Sequence, residues 1–198
     1  GNVRLTMSAT ALSPVVTLTL ESSGISRSAA MGLTFAAGSQ LADWRDMAHS
    51  QNVLLAAANS AAADQAGVYL STDHGVTWTA IEATLGTSYE RAAISPSGER
   101  LAALSADNQQ LIFSADGGVN WQIGEVPLDD YVDIAVRDDG TVILVDRPSG
   151  DTGDVRVYNG MGDLQGQVAL VPLPNSAWNS AVVLPSGELM LVAGSQVA

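Results

Sequence analysis

The chain has 198 residues and 20.4 kDa, 46% of them hydrophobic and 15% charged, with no Cys. Such a length suits one large domain or two small ones, and the composition excludes a disordered chain, a disulfide scaffold and a thiolate metal site. All eight basic residues are Arg, and against 21 Asp and Glu they leave a formal charge of −13, a field that repels polyphosphates and anionic membranes and argues against nucleic acid as a partner.

Apolar runs are short, on the order of five residues, so no segment is predicted to insert in a membrane. Gly1 is not an initiator Met, and a trimmed start that has lost any signal peptide is expected. The lack of Cys permits an extracytoplasmic or secreted location, the one favoured here.

From the N-terminus, Val3 to Met7, Val15 to Leu20 and Leu33 to Ala37 alternate or cluster apolar residues as strands do. Trp44 opens a unit, WRDMAHSQNVLLAAA, in which an aromatic heads a short apolar strand, a polar turn and a second apolar strand. The Ala-rich stretch Ala56 to Ala66 has helical propensity, yet Asn59, Ser60 and Asp64 interrupt it and the repeat register predicts a long hairpin loop. Next comes GVYLSTDHGVTWT, Gly67 to Thr79.

The pattern then recurs. Tyr89 heads YERAAISPSGERLAAL, followed by QLIFSADGGVNWQ from Gln110 to Gln122, and Tyr131 heads YVDIAVRDDGTVILVD, followed by a degraded counterpart, YNGMGD, over Tyr158 to Asp163. Trp178 heads the last unit, WNSAVVLPSGELMLVA. Trp78 to Trp121 is a step of 43 residues, and the heading aromatics are 45, 42 and 47 apart. A period in the forties with several strands per unit predicts a β-propeller of four-stranded antiparallel blades. Pro, Asp and Gly at Ser95–Gly98, Asp138–Gly140 and Pro185–Gly187 supply the tight reversals between first and second strands.

The length allows about four blades in one domain, over 43–87, 88–130, 131–175 and 176–198, the last completed by strands from 1–42. A fragment, or an open arc that a second copy completes, is the alternative, and the latter would make a homo-oligomer.

Two segments share the pattern Ser-x-Asp-x-Gly-x-(Thr/Asn)-Trp: Ser71, Asp73, Gly75, Thr77 and Trp78, then Ser114, Asp116, Gly118, Asn120 and Trp121. They resemble the Asp-box, or BNR, repeats of sialidases and of many non-enzymatic propellers, the second departing only by Asn at the Thr position. The resemblance covers residues 43 to 130 at the level of motifs. It implies a structural hairpin between third and fourth strands, on the periphery, with Ser and Asp bonding nearby backbone N–H groups and Trp anchoring the turn.

A sialidase-like activity would need an arginine cluster, a Tyr nucleophile and a carboxylate. The family's Arg-Ile-Pro-type strand is absent, and no catalytic set is recoverable. His49 and His74 have neither HExxH spacing nor a Cys partner for zinc, there is no GxSxG, and Gly160 to Gly166 lacks dinucleotide-site spacing. Asp146, Asp151 and Asp154 flank a Gly-rich loop and make a weak Ca²⁺ candidate, with solvated turn acids as the simpler reading. No cofactor is expected.

First strands of a propeller line its centre. Trp44, Tyr89, Tyr131 and Trp178 head them, and Asp46, Arg91, Asp133 and Ser180 follow two residues later, where strand alternation puts them on the same face. These residues are the candidate binding rim, with packing between blades the alternative for the aromatics. A non-catalytic module binding a protein or a carbohydrate is the expected function, and a sialidase-like glycoside hydrolase or a piece of one is the alternative.

Overall fold

The computed structural model describes residues 3–6, 17–21, 24–28, 36–37, 43–60, 65–107, 109–146, 154–169 and 176–195. Among them the only helical element is one 3₁₀ turn, Glu82–Thr84, and everything else regular is strand. Four sheets have four antiparallel strands each in sequential order: β1 (Val3–Thr6) to β4 (Ala36–Ala37) through β2 (Thr17–Glu21) and β3 (Gly24–Ser28); β5 (Trp44–Ser50), β6 (Val53–Ala58), β7 (Gly67–Ser71), β8 (Thr79–Ala80); β9 (Tyr89–Ile94), β10 (Leu101–Ser105), β11 (Gln110–Ser114), β12 (Gln122–Glu125); and β13 (Tyr131–Val136), β14 (Val142–Asp146), β15 (Asp154–Tyr158), β16 (Leu164–Ala169). A fifth sheet pairs β17 (Ser176–Val183) with β18 (Leu189–Ser195).

Two expectations change. Strands within 1–42 pair with one another in a sheet of their own, and among the described residues β17 and β18 pair only together. Ala56–Ala58, assigned above to a loop, belong to β6 and are fully buried, because their places in the ladder opposite Met47, Asp46 and Trp44 outweigh helical propensity.

Why four-stranded meanders form here is visible in the turns. Gly98, Gly140 and Gly187 hold φ near +80° to +88° and donate their N–H to Ser95, Arg137 and Leu184 respectively, closing equivalent reversals between first and second strands. Alternation then gives the second, third and fourth sheets two apolar faces each. The far face of the second sheet (Leu55, Ala57, Val68) packs on the near face of the third (Tyr89, Ala92, Leu101, Ala103, Ile112). In the same way Ala102, Leu104, Leu111 and Phe113 meet Tyr131, Ile134, Val142, Leu144 and Tyr158, and Ala135, Ile143, Val145 and Val155 meet Ala181, Val183, Leu189 and Leu191. The core is therefore a series of sheet-to-sheet seams, with β5 against β9, β9 against β13 and β13 against β17.

Candidate functional site

Both Ser-x-Asp motifs sit on third-to-fourth-strand hairpins, β7–β8 and β11–β12, and their Ser and Asp side chains bond to one plan. Ser71 Oγ donates to Asp73 Oδ1 at 2.8 Å and accepts the N–H of Gly75 at 2.9 Å. Ser114 Oγ does likewise with Asp116 and Gly118 at 2.9 Å each. Asp73 accepts the N–H and hydroxyl of Thr77, and Asp116 the N–H and side-chain amide of Asn120, so the Asn amide takes the place of the Thr hydroxyl. His74 and Gly117 occupy the same left-handed slot, φ 59° and 69°, and their N–H groups donate to Asn52 and Glu99, tying each hairpin to the first turn of its own sheet.

Those donors hold Asp73 down at about 2, the Thr77 hydroxyl foremost, and Asp116 is lowered by the Asn120 N–H and amide. Trp121 packs on the seam between the second and third sheets and donates Nε1–H to Gly118 O at 2.9 Å. Trp78 packs on Trp44, 6.1 Å between centroids, against the near face of the second sheet.

The first strands correct the predicted rim. Trp44, Tyr89 and Tyr131 are buried, at 6%, 0% and 2% exposure, so none of these three rings stands free at the centre to stack on a sugar. The side chain of Trp178 lies outside the described residues. Nor do the residues two places on share the aromatic's face. In β5, β9, β13 and β17 the register slips immediately after the aromatic: Trp44 is opposite Ala58 but Asp46 opposite Ala57, and the same slip skips Glu90, Val132 and Asn179. A bulge inserts one residue and inverts the alternation, so Met47, Ala92 and Ile134 join the aromatics, and Asp46, Arg91 and Asp133 turn toward the following sheet.

There they act as latches. Asp46 Oδ2 accepts the N–H of Ala92 at 2.9 Å, Arg91 Nε donates to Val132 O at 2.7 Å, and Asp133 Oδ2 accepts the N–H of Ala181 and the hydroxyl of Ser180, both at 2.7 Å. Burial pushes Asp46 up to about 6, opposed by the N–H donors of Ala92 and Met47 and aided by the charge on Asp133. The concavity these strands line, about 240 Å³, has Asp46, His49 and Asp133 among small apolar residues such as Ala48, Ala92 and Ala181. Burial lowers His49, whose Nδ1 is buried without a partner.

A second polar cluster escaped sequence reading. Arg156 of β15 donates Nη1–H to the Tyr131 hydroxyl at 3.0 Å, its Nη2 bonds Asp129, and Asp146 lies 3.6 Å from it. Tyr131 and Tyr158 share a hydroxyl contact of 3.0 Å, and the Arg156 guanidinium sits 5.6 Å from the Tyr131 ring centre. Burial, with the neighbouring Asp129 charge next, raises Asp146 to about 6. The signal available was a charge between Val155 and Val157 in a buried strand, which demands a partner.

This cluster uses two of the Ca²⁺ candidates differently: Asp146 faces Arg156, and Asp154 accepts the Gln167 amide at 2.5 Å. Asp151 lies outside the described residues. Among the described residues no three acids or histidines gather as metal ligands, and no helix is long and apolar enough to cross a membrane.

No protein-family model matches the chain, and no curated protein matches it in sequence. Solved structures do. An ancestral GH74 enzyme aligns with a TM-score of 0.57 at 12% identity over 91% of this chain and 33% of its own. A YCF48 structure bound to a D1 peptide aligns at 0.59 and 13% over 90% and 58%. The fold is a β-propeller. A chain of a nidogen/laminin complex is matched at 0.57 and 14% over 99% and 72%. This propeller chain spans a third and about six-tenths of the first two structures, and at such identities the likeness concerns fold alone.

Proposed function

We propose that this propeller is a non-catalytic, Asp-box type binding or assembly module that holds a basic segment of a partner protein at the end where its first strands begin. The observation that carries this reading is the way charge is divided. Asp46, Arg91 and Asp133, the inner-strand groups a reaction would need, are each committed to backbone atoms of the next blade. Meander topology gathers other charges at the starts of first and third strands and the ends of second strands. There the acids Asp43, Glu90, Asp107, Asp129, Asp130 and Asp146 outnumber Arg45 and Arg156. Acidic loops on a rigid scaffold steer and hold a cationic partner.

The protein half of the expected ligand classes gains over the carbohydrate half because Trp44, Tyr89 and Tyr131 are buried. Solved propellers of this shape include one bound to a D1 peptide and one in a nidogen/laminin complex. The hydrolase alternative has one observation in its favour, a Tyr beside an Arg and carboxylates at Tyr131, Arg156 and Asp129. Against it, the Tyr131 hydroxyl is already donated to Pro127 O or shared with Tyr158, and burial raises it further from ionisation.

Calorimetric titration with an Arg/Lys-rich peptide should give saturable binding that weakens with salt and is lost in the Asp43→Arg/Asp130→Arg variant, while a fluorogenic sialoside stays uncleaved. Turnover of the sialoside, or peptide binding indifferent to both salt and the two reversals, overturns the reading.

A further inference from the structure

Two neighbouring seams close differently at their outer edge. Between the third and fourth sheets that edge is shut by backbone: a Cβ on Gly124 of β12 would fall 2.2 Å from Met161 O, and one on Gly162 would fall 2.4 Å from Glu125 O. Between the second and third sheets it is open. β8 ends after two residues, Thr79–Ala80, and although the N–H of Ile81 still bonds Val68 O, the chain then bends into the 3₁₀ turn Glu82–Thr84. A groove of about 380 Å³ remains, with Ile81 and Glu82 of the second sheet on one side, Val119 and Trp121 of the third on the other, and Leu70 between them. Both sheets have all four strands, so the opening owes nothing to either end of the chain.

The walls specify what fits. Val119 is 78% exposed, and Ile123, two residues on from Trp121 and opposite the seam residue Ile112, is 49% exposed. Apolar surface is therefore offered at the groove and beside it. Glu82 is exposed, and among the described residues its carboxylate has no hydrogen bond or ion pair. Glu125, two residues beyond Ile123 on the same strand face, is exposed and unpaired in the same sense. No Arg lines the groove, in a chain of net charge −13. Alkyl walls, an indole and a free carboxylate are satisfied together by an arginine side chain. Its methylene stem is apolar, its charge is complementary, and its planar, weakly hydrated guanidinium stacks on an aromatic ring better than an ammonium does.

We infer that the groove between the second and third blades is a socket for an arginine side chain of a partner protein. The stem lies against Leu70, Ile81 and Val119, and the guanidinium is held between Trp121 and Glu82. Meander topology puts the third-to-fourth-strand hairpins at the end opposite the acidic loops around Asp43 and Asp130, so the two sites stand or fall separately.

NMR of the whole chain reads the site directly, through the indole N–H of Trp121 and the amide of Val119. Titration with acetyl-Gly-Arg-Gly-amide should move both along one saturable curve. The citrulline tripeptide is similar in shape but uncharged, and guanidinium chloride is charged but lacks the stem; each should bind about fivefold more weakly or worse. Glu82→Gln should weaken the arginine tripeptide by about threefold or more, whereas Asp43→Arg/Asp130→Arg should leave the titration unchanged. The ligand changes leave the protein untouched, so a variant that fails to fold does not decide the matter. Shifts that do not saturate, citrulline or guanidinium binding as well as arginine, or indifference to Glu82→Gln in a folded variant overturns the proposal. Loss of the shifts in the Asp43/Asp130 variant does so too, since the arginine is then held by the acidic loops.

Discussion

Asp46 and Asp73 are carboxylates of the same repeat with opposite titration behaviour, and the difference is local. Asp73 is only partly buried and accepts bonds from Thr77 and Ser71, which favour its ionised form and hold it near 2. A depressed native value means its contribution to stability is present above the unfolded value near 3.8 and is lost as pH falls toward 2. Asp46 is half-buried and desolvation raises it to about 6, so its contribution is complete below 3.8 and is lost as pH rises through 6. Thermal melting followed from pH 4 to 6.5 should show a decline that is shallower in Asp46→Asn than in the parent, with Asp146 contributing the remainder because it is raised in the same way. An identical slope in both proteins would show that Asp46 is not the titrating group.

At the scale of the element, the fourth sheet shows how a blade manages without its tryptophan. In the second and third sheets a Trp wedges the third-to-fourth-strand hairpin against its neighbours, and Gly118 is needed because a Cβ there would lie 2.4 Å from Leu70 Cδ2. The fourth sheet replaces the wedge with close backbone approach. A Cβ on Gly160 would fall 2.2 Å from the Phe113 ring, and one on Gly124 of β12 would fall 2.2 Å from Met161 O. Phe113 is buried and has no room to swing aside. Gly160→Ala should therefore destabilise by about 1–3 kcal/mol or more, a loss of several degrees in Tm, whereas Gly166→Ala, with open space around it, should stay within about 0.5 kcal/mol of the parent. Equal melting of the two variants would refute the tight docking.

The same elements show what a sequence reader can and cannot see. Trp78 and Trp121 announced their hairpins because the bonds that matter there are local, within four residues, and each needs a particular side chain. The aromatics Trp44, Tyr89 and Tyr131 announced their strands but not their burial, since an apolar ring is equally suited to a seam and to a binding floor. The bulge after each of them has no residue signature: Arg45, Glu90, Val132 and Asn179 are chemically unrelated, and what they share is only a place in the ladder. Missing it inverted the predicted orientation of Asp46, Arg91 and Asp133. Arg156 was passed over because its partners Asp129 and Tyr131 are more than twenty residues away.

For the whole molecule, the seams are nearest-neighbour contacts, so each blade's stability depends on the blades on either side of it. The latches make that dependence measurable. The first strands have only one sheet neighbour each, which leaves the N–H groups of Ala92 and Ala181 on an edge that no ladder protects, and each is capped solely across a seam, by Asp46 and by Asp133. Their deuterium uptake should consequently time the parting of adjacent blades while the amides of β10 and β14 still report each sheet intact, so that two protons separate loosening between blades from melting within them.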